Sequence, residues 1–214
     1  GVDTSFFSPD AVNAAESSRL RGSLGIPADT SVVIMIGRML THKGVHEYVE
    51  CARTVAEYRD AHFLLVGPVD QGNPISIPHE TLVEWERKGW VRYLGERSDI
   101  RELMAMADIV ALPSYREGFP RVLLEAAAMG KPMVTTDTPG CRDVVTDGVN
   151  GLLVPVGDAV ALASAVEKLL ASSDLREQMG KAARLKAVDE FDERKVTQDI
   201  IAIYDELLAQ TPIA

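Results

Sequence analysis

Apolar residues concentrate in six short segments, at 32–36, 63–66, 91–94, 109–112, 133–136 and 152–154, most of them unbroken runs, separated by stretches in which apolar positions recur at helical spacing. Unbroken runs of this length are the pattern of strands covered on both faces, whereas a half-exposed strand alternates. The helical stretches between them lie at 44–58, 79–88, 99–107, 120–129 and 158–171, and another precedes them at 10–24. Strand and helix therefore alternate, which predicts βαβ units and an α/β fold, a doubly wound parallel sheet of Rossmann-like type. Two further helices, 174–189 and 193–209, have no strand between them and are predicted as a C-terminal helical cover. The expected organisation is a leading segment and helix over 1–30, a Rossmann-like core over 31–171 and C-terminal helices over 172–214.

A doubly wound sheet takes its ligands beyond the carboxyl ends of its strands. That directs attention to the loops 37–43, 67–78, 95–98 and 113–119. The segment from Pro113 to Ala126 leaves a strand and enters a helix, with Pro120 placed for the first helical turn and Gly130 as a stop. Backbone N–H groups at such a helix start, together with the helix dipole, form an anion site, and phosphate is the natural guest. Glu125 lies five residues beyond Pro120, roughly 7 Å down the helix at about 1.5 Å per residue. That is a pyrophosphate-to-ribose reach, so its carboxylate is placed to accept from two vicinal hydroxyls. Glu117, on the loop before the helix, is left to hydrogen-bond a sugar.

A second cluster follows the first strand: Gly37, Arg38, Met39, Leu40, Thr41, His42, Lys43 and Gly44. Arg38 and Lys43 can both swing over the same edge, one as a planar fork and one as a point charge, to neutralise a diphosphate. Two cations, a helix terminus and two carboxylates compose a site for a nucleotide-diphosphate sugar.

Composition narrows the partners. The 214 residues are 46% hydrophobic and 25% charged, an ordinary globular balance, with a formal net charge of −10. That field repels nucleic acid and anionic lipid, whose binding energy needs clustered Lys and Arg. Two cysteines, Cys51 and Cys141, make no disulfide framework and suit a reducing compartment. No apolar run approaches the roughly 20 residues of a membrane-spanning helix. The opening Gly1-Val2-Asp3, without an initiator Met, suggests a piece of a longer chain.

Four landmarks in order carry a family resemblance: Gly37-Arg38 followed by Lys43-Gly44, the pair Glu117 and Glu125 with seven residues between, Asp147-Gly148-Val149-Asn150-Gly151, and the opening Gly1-Val2-Asp3 with Phe7 and Pro9. Over essentially its whole length the chain resembles the C-terminal, donor-binding half of the GT-B fold glycosyltransferases of family 4. The resemblance makes 1–30 an interdomain linker with its helix and implies an N-terminal acceptor domain outside this chain. Gly72-Asn73-Pro74, Trp85 to Gly89, Thr135-Thr136-Asp137 and Pro139-Gly140-Cys141-Arg142 further resemble the bacterial members that build capsular, exopolysaccharide or lipid-linked glycans.

What the resemblance implies is transfer, with retention of configuration, of a hexose or N-acetylhexosamine from a UDP-sugar to a glycan or lipid-linked acceptor, UDP-N-acetylgalactosamine being one candidate donor. Arg38 and Lys43 would bind the donor diphosphate, Glu125 the ribose, and Glu117 the sugar hydroxyls. Gly118, Phe119, Pro120, Arg121 and Val122 would lie against sugar and phosphates, and the backbone at Glu96 and Arg97 would border the base. Glu117, Arg38 and Lys43 form the catalytic group, with Glu117 positioning the donor rather than attacking it. No metal or other cofactor is implied: no two aspartates are separated by one residue, so charge compensation falls to Arg38, Lys43 and the helix terminus. The implied location is cytoplasmic, at the inner face of the membrane, with any membrane affinity supplied by the half outside this chain. Two other readings stand beside this one, a nucleotide-sugar-binding module without transfer and half of a UDP-sugar 2-epimerase.

Several residues have plainer readings. His42 and His46 have the spacing of a metal pair but no third ligand; His62 and His79 read as surface or capping groups. Cys141, on a loop after a strand, reads as a packed thiol, Trp85 and Trp90 as core or groove aromatics, and Arg116 and Arg121 as evenly balanced between ligand contact and structural pairing. The apolar stripes of the last two helices read as packing faces, including against the absent half.

Overall fold

The computed structural model describes residues 1–210; the last four residues of the expected C-terminal unit, 211–214, lie outside the described residues. Six strands form one sheet: β1 (Ser31–Ile36), β2 (Ala61–Val66), β3 (Arg92–Tyr93), β4 (Ile109–Leu112), β5 (Met133–Thr136) and β6 (Gly151–Val154). Their order is β3-β2-β1-β4-β5-β6 and every pairing is parallel. In this order β1, β4 and β5 lie inside the sheet and their residues are almost all buried. Val32, Ile34 and Ile36 point into one core layer and Val33 and Met35 into the other, the period-2 alternation of a strand sandwiched between helices.

The helices are α1 (Ala14–Ser23), α2 (Val45–Ala56), α3 (His79–Arg87), α4 (Ile100–Met106), α5 (Arg121–Ala128), α6 (Pro139–Val144), α7 (Ala159–Leu170), α8 (Ser173–Lys186) and α9 (Glu193–Gln210). Where they begin is set by local chemistry. The helix expected over 10–24 is split: Pro9–Ala11 is a 3₁₀ turn, and α1 starts after a reciprocal capping box between Asn13 and Glu16. The helix expected from residue 44 begins one residue later because Gly44 is left-handed, with φ +77. Pro120, expected inside the first turn, instead occupies the cap position with extended backbone, and α5 begins at Arg121.

Two elements differ more from the pattern. Residues 139–144, read from the sequence as loop, form α6, a helix of six residues started by Pro139. Cys141 is therefore a helical residue, fully buried, and the Thr135 hydroxyl donates to its sulfur at 3.1 Å. The stretch expected as helix over 174–189 ends as α8 at Lys186 and continues as a π-helical turn, Ala187–Phe191.

The leading segment meets the chain between the π-helical turn and α9. Val2 N–H donates to Phe191 O at 2.8 Å, and Glu193 N–H donates to Val2 O at 3.0 Å. Arg184 in α8 donates to the carbonyls of Thr4, Phe7 and Ala128, which ties the leading segment to α5. The stripe on α8 is a packing face, with Met179, Gly180 and Ala183 buried. On α9, Ile200, Ile203, Tyr204 and Leu208 are exposed. Among the described residues no helix is long and apolar enough to cross a membrane.

Candidate functional site

The strand order reverses between β1 and β4. β2 and β3 continue from β1 in one direction, and β5 and β6 from β4 in the other. Loops leaving the carboxyl ends of β1 and β4 therefore part company and leave a crevice, the place where such sheets bind ligands. A cavity of about 320 Å³ opens there, lined by Ile36, Gly37, Arg38 and Lys43 from the β1 side and by Leu112, Glu117, Pro120, Arg121, Val122 and Glu125 from the β4 side. Other cavities are larger, about 610 Å³ beside α1 and about 490 Å³ between Pro9, Gly130 and α8. Neither sits at the strands' carboxyl ends with convergent charges; the Arg21 that lines the first is committed to backbone carbonyls and Asp108.

The β1 loop approaches the β4 loop because Gly44 has no side chain: a Cβ there would stand 2.0 Å from Pro113 O. The 3₁₀ turn Thr41–Lys43 then delivers the Lys43 ammonium across the crevice. Its Nζ donates to Glu117 Oε1 at 2.6 Å, and both side chains are largely buried, 20% and 10% exposed. Ser114 Oγ donates to the same oxygen at 2.5 Å, and Ser114 is itself held by the Thr136 hydroxyl, which donates to its carbonyl. Glu117 is thus not the unengaged carboxylate expected from the sequence: Oε1 serves two donors.

Arg38 lies at the outer rim, 57% exposed, with one guanidinium nitrogen 3.1 Å from Asp70 Oδ2. Glu125 is half-buried on α5, and burial raises its carboxyl above the usual carboxylate range, partly countered by the positive charge of Arg121. Among the described residues no side chain caps the start of α5, which leaves its first N–H groups to a ligand or solvent. The site thus presents, in order along one crevice, a guanidinium, an ammonium paired with a carboxylate, an uncapped helix terminus and a second carboxylate. That series is suited to a polyanion joined to hydroxylated groups.

Three of the expected donor residues stand apart from this cavity. Gly118 and Phe119 are exposed on the loop above it, and the Phe119 ring meets Phe191 of the π-helical turn edge-on at 5.7 Å. Arg97 is fastened by two bonds to Asp99, Nε at 2.8 Å and NH2 at 2.5 Å, which raises its already high pKa. Among the plainer residues, His46 packs edge-on against the buried Trp85, and His79 against Tyr93. Trp90 is flanked by Arg53 and Lys88, each 4.5 Å from the ring centroid. Among the described residues no three His, Cys, Asp or Glu side chains gather as a metal-binding group.

Sequence reasoning passed over several supporting residues. Ser114 contacts Glu117, the partner of Lys43, and Asp70 contacts Arg38 itself. Tyr115 donates to Glu47 Oε1 at 2.5 Å and packs on Gly157, which clasps the β4 loop to α2. Gly140, in α6, lies so near the loop that a Cβ would stand 2.2 Å from Gly118 O. Only Ser114 carried a signal in the sequence, as a hydroxyl at the end of a strand three residues before Glu117.

Comparison with known proteins agrees with this fold. The family model described as "Glycosyl transferases group 1" matches residues 16–186. A Campylobacter jejuni protein named N,N'-diacetylbacillosaminyl-diphospho-undecaprenol alpha-1,3-N-acetylgalactosaminyltransferase is 35% identical over 208 residues, 97% of this chain and 53% of that protein. The lipopolysaccharide core biosynthesis glycosyltransferase LpsE of Rhizobium meliloti is 31% identical over 192 residues, 90% of this chain and 54% of that protein. Among solved structures, Anabaena Alr3699/HepE in complex with UDP superposes with a TM-score of 0.86 at 28% identity, covering 96% of this chain and 56% of that one. The chain thus spans about half the length of the relatives it matches.

Proposed function

The chain belongs to the group 1 glycosyl transferases, and within that family we propose that it is the donor-binding half of a retaining, GT-B fold enzyme. In this reading it carries a hexose or N-acetylhexosamine from a UDP-sugar to a glycan or lipid-linked acceptor, which a preceding N-terminal domain holds on the cytoplasmic side of the membrane. The observation that carries the reading is the crevice at the sheet's reversal point, where Arg38, Lys43, Glu117 and Glu125 line one cavity. The UDP named with the HepE structure supports a uridine nucleotide, and the N-acetylgalactosaminyl transfer named for the Campylobacter relative supports an N-acetylhexosamine.

Each residue then has a defined task. Arg38 and Lys43, with the start of α5, take the diphosphate and stabilise the charge that grows on it as the sugar departs, without a metal ion. Glu125 accepts from the ribose hydroxyls. Glu117, held by Lys43 and Ser114, orients the sugar, and its ion pair with Lys43 fixes the distance between sugar and phosphate. Gly118 to Val122 line the sugar, and the Glu96–Arg97 backbone borders the base.

Isothermal calorimetry of this chain with UDP, GDP and ADP tests the reading. The expected result is binding of UDP in preference to the others, weakened about tenfold or more in Arg38→Ala and in Lys43→Ala, the loss of one charge-assisted contact. Binding of none of the three, or unchanged binding in both variants, refutes it. NMR of products formed by the longer protein from UDP-N-acetylglucosamine separates transfer from 2-epimerisation.

A further inference from the structure

Arg38 is an exposed, flexible side chain, yet a diphosphate ligand at the rim of a crevice has to be held in one orientation to act as a fork. The structure holds it through Asp70. The Asp70 carboxylate is itself fixed: Asn73 Nδ2 donates to Oδ2 at 2.9 Å, the same oxygen that Arg38 uses, and Ser76 Oγ accepts from the Asp70 N–H at 3.1 Å. The loop that bears these residues is joined to the Arg38 loop along its length. Thr41 N–H donates to Ile75 O, Ile77 N–H to Met39 O, and Met39 N–H to Pro68 O, with an antiparallel bridge between Leu40 and Ser76. The two loops therefore form one braced unit, and Asp70 is stationary relative to the cavity.

We infer that Asp70 is a positioning residue for donor binding: it fixes one edge of the Arg38 guanidinium and leaves the remaining N–H groups turned to the diphosphate. The inference rests on the reading of Arg38 as a diphosphate ligand. Arginine carries five donors in a rigid fork, and Asp70 occupies one nitrogen. Asp70 itself lines a neighbouring cavity with Gly72 and Asn73 rather than the donor crevice, so it acts through Arg38 and not by touching the nucleotide.

A carboxylate near a diphosphate also repels it, and the two effects have opposite signs. Asparagine keeps the acceptor and removes the charge, while alanine removes both, so the two substitutions distinguish them. Calorimetry with UDP on the unaltered chain, Asp70→Ala, Asp70→Asn, Arg38→Ala and the Arg38→Ala/Asp70→Ala pair provides the test. Asp70→Ala is expected to weaken UDP about fivefold, the effect of freeing one rotamer-rich side chain, and Asp70→Asn to stay within about twofold. In the Arg38→Ala background Asp70→Ala should cause no further loss, and thermal melting should be unchanged in the single variants because the pair is exposed. Equal losses in both backgrounds, or UDP bound as tightly or more tightly by Asp70→Ala, would overturn the inference while leaving the functional reading intact. A chain that binds no UDP at all overturns the functional reading and this inference with it.

Discussion

Gly140→Ala is a one-carbon change that tests how the Glu117 loop is placed. The Cβ it adds would stand 2.2 Å from Gly118 O and 2.7 Å from Glu117 O, where ordinary contact begins near 3.4 Å, so about 1.2 Å must be found. The helix side cannot supply it: Cys141 and Val144 are fully buried, and the Thr135 hydroxyl reaches both Leu112 O and the Cys141 sulfur. The loop side, exposed at Gly118, gives way instead, and it carries Glu117. Hydrogen bonds of 2.6 Å from Lys43 and 2.5 Å from Ser114 do not survive a displacement of that size. Overpacking of this kind costs roughly 1–3 kcal/mol, offset by up to about 1 kcal/mol for replacing a helical glycine with alanine. Thermal melting should therefore fall by a few degrees. Misplacement of a positioning group by about 1 Å lowers rate by about 10²-fold. Transfer by the longer protein should thus fall far more than UDP affinity, because Arg38 and the start of α5 remain in place. A Gly140→Ala protein with unaltered melting and unaltered transfer would show that the close approach of α6 does not set the position of Glu117.

Two further substitutions probe charge. Glu125→Gln should melt higher than the unaltered chain at neutral pH and bind UDP about tenfold or more weakly. The carboxyl is raised by burial, so its ionised form opposes folding at every pH above that raised value, and protonation or amidation relieves the opposition. Lys131 donates to Ala105 O and Ala107 O, and burial lowers its amine from 10.5 to about 8. Between those values the unfolded chain binds more protons than the folded one, so stability should rise by about 1 kcal/mol from pH 8 to 9, and this rise should vanish in Lys131→Met. Urea unfolding read across that interval on both proteins checks it, the difference between them removing the smaller opposing effect of the Cys51 thiol, which burial pushes from 9.0 up to about 12.

The sheet was legible because β1 and β4 are buried on both faces and read as apolar runs in regular alternation with helical spacing; run length alone would not have sufficed, since 159–163 in α7 and 200–204 in α9 are equally unbroken. α6 was not legible for a local reason. Six residues hold too few turns for a periodic signal, and Pro139-Gly140 reads as a breaker although proline is favoured in a helix's first turn. The same division appears in the site. That Arg38, Lys43, Glu117 and Glu125 share one cavity could be read in advance because each has a fixed distance from a strand end or helix start. The parts played by Asp70 and Gly140 could not, because their effect depends on tertiary approach: Asp70 is 32 residues from Arg38, and Gly140 matters only where α6 meets the loop after β4.

Arg38 and Lys43 are each matched with a carboxylate, and the two pairs differ in a way that assigns them different work. Lys43 and Glu117 are 20% and 10% exposed, and removing either partner would strand a buried charge, so this pair stays closed and acts as a fixed strut. Arg38 and Asp70 are 57% and 34% exposed, a pair of little intrinsic strength that a diphosphate can join without first breaking anything buried. On the proposed function, Lys43 then supplies a charge at constant position close to the sugar, and Arg38 supplies a fork that meets the nucleotide as it enters. Arg121 and the uncapped start of α5, added to these two pairs, also account for how an acidic chain, −10 overall, can hold an anion. The long-range field is screened within about 10 Å at ordinary salt, and inside the crevice the deciding charges are those whose counter-ions are already anchored.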